Sequence, residues 1–145
     1  LQEMRAAIIG SKKTGLPVIA SMTFEKELRT VTGTDPRTAA IVMQSLGVDV
    51  IGANCSAGPK ELLEVAREML AVALVPVIIQ PNAGLPRLEN GKTVFPLGAE
   101  EFAAFAADFA KLGVSCLGGC CGTTPEHIKR LRVASYGLRV FYFHS

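Results

Sequence analysis

Gly47-Val-Asp-Val-Ile-Gly-Ala-Asn-Cys55 and Gly113-Val-Ser-Cys-Leu-Gly-Gly-Cys-Cys121 are two copies of one pattern, G-V-x-x-x-G-x-x-C, set 66 residues apart. Each starts on a glycine that closes a helical stretch, runs through a short apolar strand and ends on a loop carrying thiols. Pro17-Val-Ile and Pro76-Val-Ile echo one another in the same way. Strand followed by helix, repeated, is the signature of parallel pairing.

The rest of the chain falls into step with these copies. Residues 1–14 read as a helix stopped by Gly15, and Pro17-Val-Ile-Ala-Ser-Met22 as a buried strand. Thr34-Asp-Pro-Arg37 is a helix start, with Asp35 or Thr34 as cap and Pro36 in the first turn. That helix ends at Leu46, and 48–53 is the second strand. Pro59 opens a helix with Leu62, Leu63, Ala66, Met69 and Leu70 at helical spacing. The third strand is 76–80, followed by a long polar connection over 81–98 and a single helix over 99–112. The fourth strand is 114–118, and a last helix begins at Pro125. Strands starting near 17, 48, 76 and 114 give units of about 28 to 38 residues. Such units build either a doubly wound sheet or a (β/α)8 barrel. No G-x-G-x-x-G phosphate turn is present, so the barrel is the expected fold. A whole barrel takes roughly 250 residues. Four units are half of one, and a start at Leu1 in mid-helix pattern is expected of a piece of something longer.

Composition removes several function classes. Of 145 residues 49% are hydrophobic and 19% charged, too apolar for intrinsic disorder. A net charge of +2 without a basic run offers nucleic acid no electrostatic footprint. Apolar runs such as 70–74 and 77–79 fall far short of the ~20 residues of a membrane-spanning helix. No basic segment followed by an apolar one opens the chain, so no secretory signal is read. The four cysteines include the adjacent pair Cys120 and Cys121, which suits metal binding or chemistry better than a disulfide scaffold. A reducing, cytoplasmic setting follows as an expectation.

In parallel βα folds the loops at the carboxyl ends of strands carry the ligands. Cys55 directly follows the second strand, and Cys120 and Cys121 follow the fourth. Three thiolates around one point suit Zn2+ with a fourth position left open, the arrangement that separates catalytic from structural zinc. Cys116 lies inside the fourth strand and reads as structural; as a fourth ligand it would instead close a structural four-cysteine zinc module. Thr123-Thr-Pro-Glu126 matches a capping box, Thr123 at the cap and Glu126 three residues on, although Thr124 before Pro125 caps equally well. His127 reads as a packing residue, and it is the one histidine near enough to serve a cysteine nucleophile; His144 lies in the tail. Thr23, Phe24 and Glu25 follow the first strand and Asn82 the third, which makes Glu25 and Asn82 the candidate substrate contacts.

Gly-Ala-Asn-Cys55, Gln80-Pro-Asn-Ala-Gly84 and above all Gly118-Gly-Cys-Cys-Gly-Thr-Thr-Pro-Glu-His127 resemble the homocysteine S-methyltransferase family. Ser21-Met-Thr-Phe24, Thr32-Gly-Thr34 and Asn90-Gly-Lys-Thr-Val-Phe-Pro96 are similar to its cobalamin-dependent methionine synthase branch. The resemblance covers about residues 1–132 and implies strands five to eight of a (β/α)8 TIM barrel, with 133–145 as an atypical tail. It implies that Cys55, Cys120 and Cys121 are the zinc ligands and that homocysteine is methylated to methionine. It also implies methylcobalamin and methyltetrahydrofolate on other modules; betaine or S-methylmethionine is the alternative donor. The first four strands, which carry much of the family's clamp on homocysteine, are absent. The chain alone is therefore expected to hold zinc weakly and to be inactive, with sheet edges and an apolar inner face seeking the missing half.

Overall fold

The computed structural model describes residues 1–25 and 27–134. Its order is α1 (Gln2–Lys12), β1 (Ile19–Met22), α2 (Pro36–Ser45), β2 (Val50–Asn54), α3 (Pro59–Leu70), β3 (Val77–Gln80), β4 (Arg87–Glu89), β5 (Lys92–Val94), α4 (Ala99–Ala104), α5 (Ala106–Leu112), β6 (Cys116–Leu117) and α6 (Pro125–Ala134). Four strands form one parallel sheet in the order β1-β2-β3-β6. Each strand that joins it does so on the same side as the one before. Right-handed crossovers that always advance in one direction place every helix on the same face, so the sheet is singly wound.

Burial follows that topology. Ala20, Ile51, Ala53, Val77, Ile79 and Leu117 have one strand parity, and all join the core with Met43, Leu62, Met69, Phe102 and Phe109 from the helices. The opposite parity carries Ser21, Gly52, Asn54, Ile78, Gln80 and Cys116. Polar residues thus gather toward the carboxyl ends on the face the helices do not cover. Gly52 pairs with Ile78, and a Cβ there would land on the Ile78 carbonyl oxygen and Cγ2. Only a residue without a side chain lets β2 and β3 run together at this point.

Helix starts obey their capping chemistry. Asp35, rather than Thr34, caps α2, accepting from the Thr38 N–H at 2.9 Å. The carboxyl of Asp35 is held below its usual range by that backbone bond and by the Thr38 hydroxyl.

Three expectations need correction. The 81–98 connection contains the antiparallel hairpin β4–β5, turned on Asn90 (φ 48°) and Gly91 (φ 76°). Both residues are left-handed, as the tight hairpin turn requires. The helix over 99–112 is divided at Phe105, whose N–H bonds back three residues to Phe102 instead of four. Finally, Glu126 does not close a capping box. Thr124 is the residue before α6, and its N–H is taken by His127 Nδ1 at 3.2 Å; Glu126 pairs with Arg130. Of the atypical tail, residues 133 and 134 continue α6, while 135–145, His144 among them, lie outside the described residues. Among the described residues no helix is long and apolar enough to cross a membrane.

Candidate metal centre

Cys55 leaves β2 directly after Asn54, and Cys120 and Cys121 leave β6 three residues after Leu117. Strands β2 and β6 both flank β3, so the thiol loops converge across the end of that strand. The Sγ atoms of Cys55 and Cys121 are 3.6 Å apart, those of Cys120 and Cys121 4.0 Å, and all three lie within 4.8 Å of one another. Four sulfurs at ~2.3 Å around a tetrahedral zinc are separated by about 3.8 Å. The spacing is therefore that of three corners of such a tetrahedron, and the soft donor set suits zinc. Cys116, buried at 7% exposure beside Ile78, stands outside the trio. The sulfurs assemble as a three-donor set, of which Cys121 is the exposed member.

The loop after β3 contributes no sulfur but braces both neighbours. The Gln80 carbonyl accepts from Cys55 N–H at 3.1 Å, and the Pro81 carbonyl from Cys120 N–H at 2.8 Å. Asn82, 2% exposed, gives its N–H to the Ala57 carbonyl at 3.0 Å and accepts the Cys121 N–H on Oδ1 at 3.0 Å. Ala83 N–H returns to the Cys121 carbonyl at 2.9 Å. Sequence reasoning reads Asn82 as a substrate contact or a turn residue; this bracing depends on strand order, which a single sequence does not display. Replacing Asn82 with alanine removes the acceptor for a backbone N–H at the centre of the site. We expect a stability loss of about 1–3 kcal/mol, measured by urea unfolding. Metal affinity of the trio should fall about 10–100-fold, measured by chelator competition; unchanged affinity would contradict the bracing role.

The electrostatics show what the trio needs. Burial raises the Cys55 thiol, but hydrogen bonds from Ser56 N–H, Cys121, Cys120 and Asn82 outweigh it and leave its pKa below the ordinary value. Cys121 is pushed up to about 11, first by the hydrogen bond it shares with Cys55, then by burial and the neighbouring Cys120. Charge on one sulfur thus makes the next thiolate harder to form. A divalent cation reverses that effect, since coordinating thiols are deprotonated outright.

The remaining candidates are placed as follows. His127 is 8% exposed; Nδ1 takes the Thr124 N–H and lies 2.9 Å from the Thr124 hydroxyl, while Nε2 faces the Leu97 carbonyl at 3.0 Å. Its ring meets Phe102 edge-on. Both nitrogens are used in fastening α6, which leaves none for a thiol and removes the basis for a histidine-activated cysteine. Thr123 Oγ1 donates to the Cys120 carbonyl at 2.6 Å, tying the thiol loop to the start of α6. Glu25 is exposed at the rim, where Oε1 accepts the Ser56 hydroxyl at 2.9 Å. Phe24 is fully buried.

A family model described as homocysteine S-methyltransferase matches residues 1–135. Methionine synthases of Mycobacterium leprae (strain TN) and Mycobacterium tuberculosis (strain ATCC 25618 / H37Rv) are similar, 38% and 39% identical over 141 residues. The match takes in 92% of this chain and 12% of each relative, so the chain spans about an eighth of their length. Among solved structures, the metallated form of the homocysteine methyltransferase MmuM from Escherichia coli superposes with a TM-score of 0.71 at 20% identity. It covers 90% of this chain and 40% of its own; the oxidised form of MmuM matches equally well, over 41% of its length. At that identity the likeness concerns the fold.

Proposed function

Because the chain belongs to the homocysteine S-methyltransferase family, we propose that Cys55, Cys120 and Cys121 hold one zinc ion and present its open position to the thiol of homocysteine. The convergence of three sulfurs at tetrahedral spacing is the observation that carries this reading. When bound, zinc supplies a Lewis acid that keeps an entering thiol deprotonated at neutral pH. The protein's own contribution is placement. The loop after β3 fixes the two thiol loops, so that Cys55, Cys120 and Cys121 would hold the metal together at the ends of β2 and β6. Glu25 offers a carboxylate to the substrate's ammonium group from the same rim, and Asn82 an amide beside Cys55.

The reaction assigned to the site is a displacement. The substrate sulfur forms a bond to the donor's methyl carbon, the donor–methyl bond breaks, the thiol proton passes to solvent, and methionine results. The thioether product is a poorer ligand than the thiolate, which favours release. We assign the donor to methylcobalamin charged from methyltetrahydrofolate, held on other modules. Support comes from relatives named methionine synthase that extend far beyond the matched segment. Betaine or S-methylmethionine is the alternative source of the methyl group.

We also propose that the chain supplies strands five to eight of a (β/α)8 barrel, whose segment runs past residue 132 because α6 continues to Ala134. The sequential strand order and one-sided helices support this, as does superposition on 40% of a homocysteine methyltransferase. Ile19 and Leu16, exposed at the β1 edge, are where the preceding strands would join. The expected result for the 145-residue chain is one weakly held zinc when the metal is supplied, without homocysteine methylation. Zinc titration of the purified chain in chelator-free buffer, alongside a methyl-transfer assay with free methylcobalamin, checks both parts. Failure of the folded protein to bind zinc would contradict the metal assignment, and robust turnover would contradict the need for the other half.

A further inference from the structure

Cys55 (φ 62°) and Ser56 (φ 56°) are consecutive left-handed residues, and neither is glycine. L-residues rarely adopt that conformation singly, and two in succession need external restraint. On the β3 side the restraint is backbone: Cys55 N–H reaches the Gln80 carbonyl at 3.1 Å, and Ala57 N–H closes on the Cys55 carbonyl at 2.7 Å. On the β1 side it is a side-chain bond, from the Ser56 hydroxyl to Glu25 Oε1 at 2.9 Å. The Glu25 backbone is fixed, since its N–H donates to the Arg29 carbonyl at 2.8 Å and its carbonyl accepts from Leu28 N–H at 3.0 Å. The closed turn sets where the Glu25 side chain leaves the backbone, and from there its carboxylate reaches the Ser56 hydroxyl.

We propose that Glu25 and Ser56 form a positioning clamp that holds the left-handed turn at Cys55 and so aims its sulfur at those of Cys120 and Cys121. The clamp rests on the metal-centre reading above and adds that residues outside the donor set fix one donor's direction. Glu25 and Ser56 are positioning residues here, acting through Cys55. The alternative is an exposed hydrogen bond of no consequence, and it predicts wild-type binding in Glu25→Ala, Ser56→Ala and Ser56→Gly, where the clamp predicts a loss.

The test uses cobalt(II) in the full 145-residue chain, because thiolate-to-cobalt charge-transfer and d–d bands report donor geometry directly. The wild type should show tetrahedral thiolate bands. Glu25→Ala and Ser56→Ala should each weaken cobalt binding about 10–100-fold, as loss of an outer-shell partner does, and shift the bands. The double variant should be no worse than either single one, since both break the same bond. Glu25→Gln, whose amide oxygen still accepts the hydroxyl, should restore wild-type binding. Ser56→Gly separates folding from positioning. Glycine suits the left-handed turn, so the thermal midpoint should not fall, yet the metal should bind as weakly as in Ser56→Ala. Wild-type affinity and bands in Glu25→Ala, Ser56→Ala and Ser56→Gly would overturn the clamp and leave the metal centre standing. A folded wild type without thiolate bands would overturn the metal centre and the clamp with it.

Discussion

Replacing Cys121 with serine is expected to lower zinc affinity by at least about 100-fold, because changes that reach a ligand only through its hydrogen bonds already cost about 10–100-fold. Cys55→Ser and Cys120→Ser should do the same, since each sulfur is one of the three mutually close donors. Methyl transfer in the assembled enzyme should fall to background in all three. The loss should also be visible in folding. A ligand present at about 1,000 times its dissociation constant stabilises the native state by about 4.1 kcal/mol. Zinc should therefore raise the wild-type melting temperature and leave that of the variants unmoved. Cys116→Ser is the control. That residue sits in β6 beside Ile78, below the rim and outside the trio, so its variant should keep full zinc stoichiometry. Zinc lost from Cys116→Ser and retained in Cys121→Ser would mean the wrong sulfurs have been assigned.

Gly52→Ala should be the most damaging single-methyl change in the sheet. The added carbon would meet the carbonyl oxygen and Cγ2 of Ile78 on the neighbouring strand. The oxygen belongs to the β2–β3 ladder and cannot rotate away as a side chain would. Overpacking in a well-fitted core costs about 1–3 kcal/mol, occasionally more, and the backbone location puts this variant at or above the upper end. Relief requires the two strands to part just where they deliver Cys55 and the Gln80 carbonyl that fixes it. The expected signature is a large drop in the urea midpoint together with weakened metal binding. Gly10→Ala is the comparison, since a Cβ there has open space and the residue is helical. A wild-type urea midpoint in Gly52→Ala would show that β2 and β3 are not packed as described.

How far the sequence foretells this molecule depends on what each feature needs. The four parallel strands and their helices are readable because apolar runs, closing glycines and Pro-initiated helices are local signals, and the observed elements fall within a few residues of them. Convergence of Cys55 with Cys120 and Cys121 is readable because both loops leave strands of the same direction two places apart. The hairpin escapes such a reading because Arg87–Glu89 and Lys92–Val94 are short and largely exposed, without the apolar alternation of a packed strand. Its signal is Asn90-Gly91, a dipeptide that favours the tight hairpin turn. Capping at α6 is easily misread because Glu126 fits the usual motif, whereas His127 has both a nitrogen for Thr124 and a buried place against Phe102. Neither Asn82 nor the Glu25–Ser56 bond can be assigned its part from spacing alone. Their partners are 39 and 31 residues away, and only strand order brings them together.

The central claim is that three cysteine sulfurs bind one zinc and leave its fourth position for a substrate thiol. X-ray absorption at the zinc edge, recorded on the zinc-loaded chain with and without homocysteine, addresses it most directly. The account predicts three sulfurs at ~2.3 Å and one lighter oxygen or nitrogen neighbour in the free protein, becoming four sulfurs when homocysteine is added. Four sulfurs before any thiol is added would mean a closed structural site, and a sulfur count that homocysteine leaves unchanged would contradict the open position.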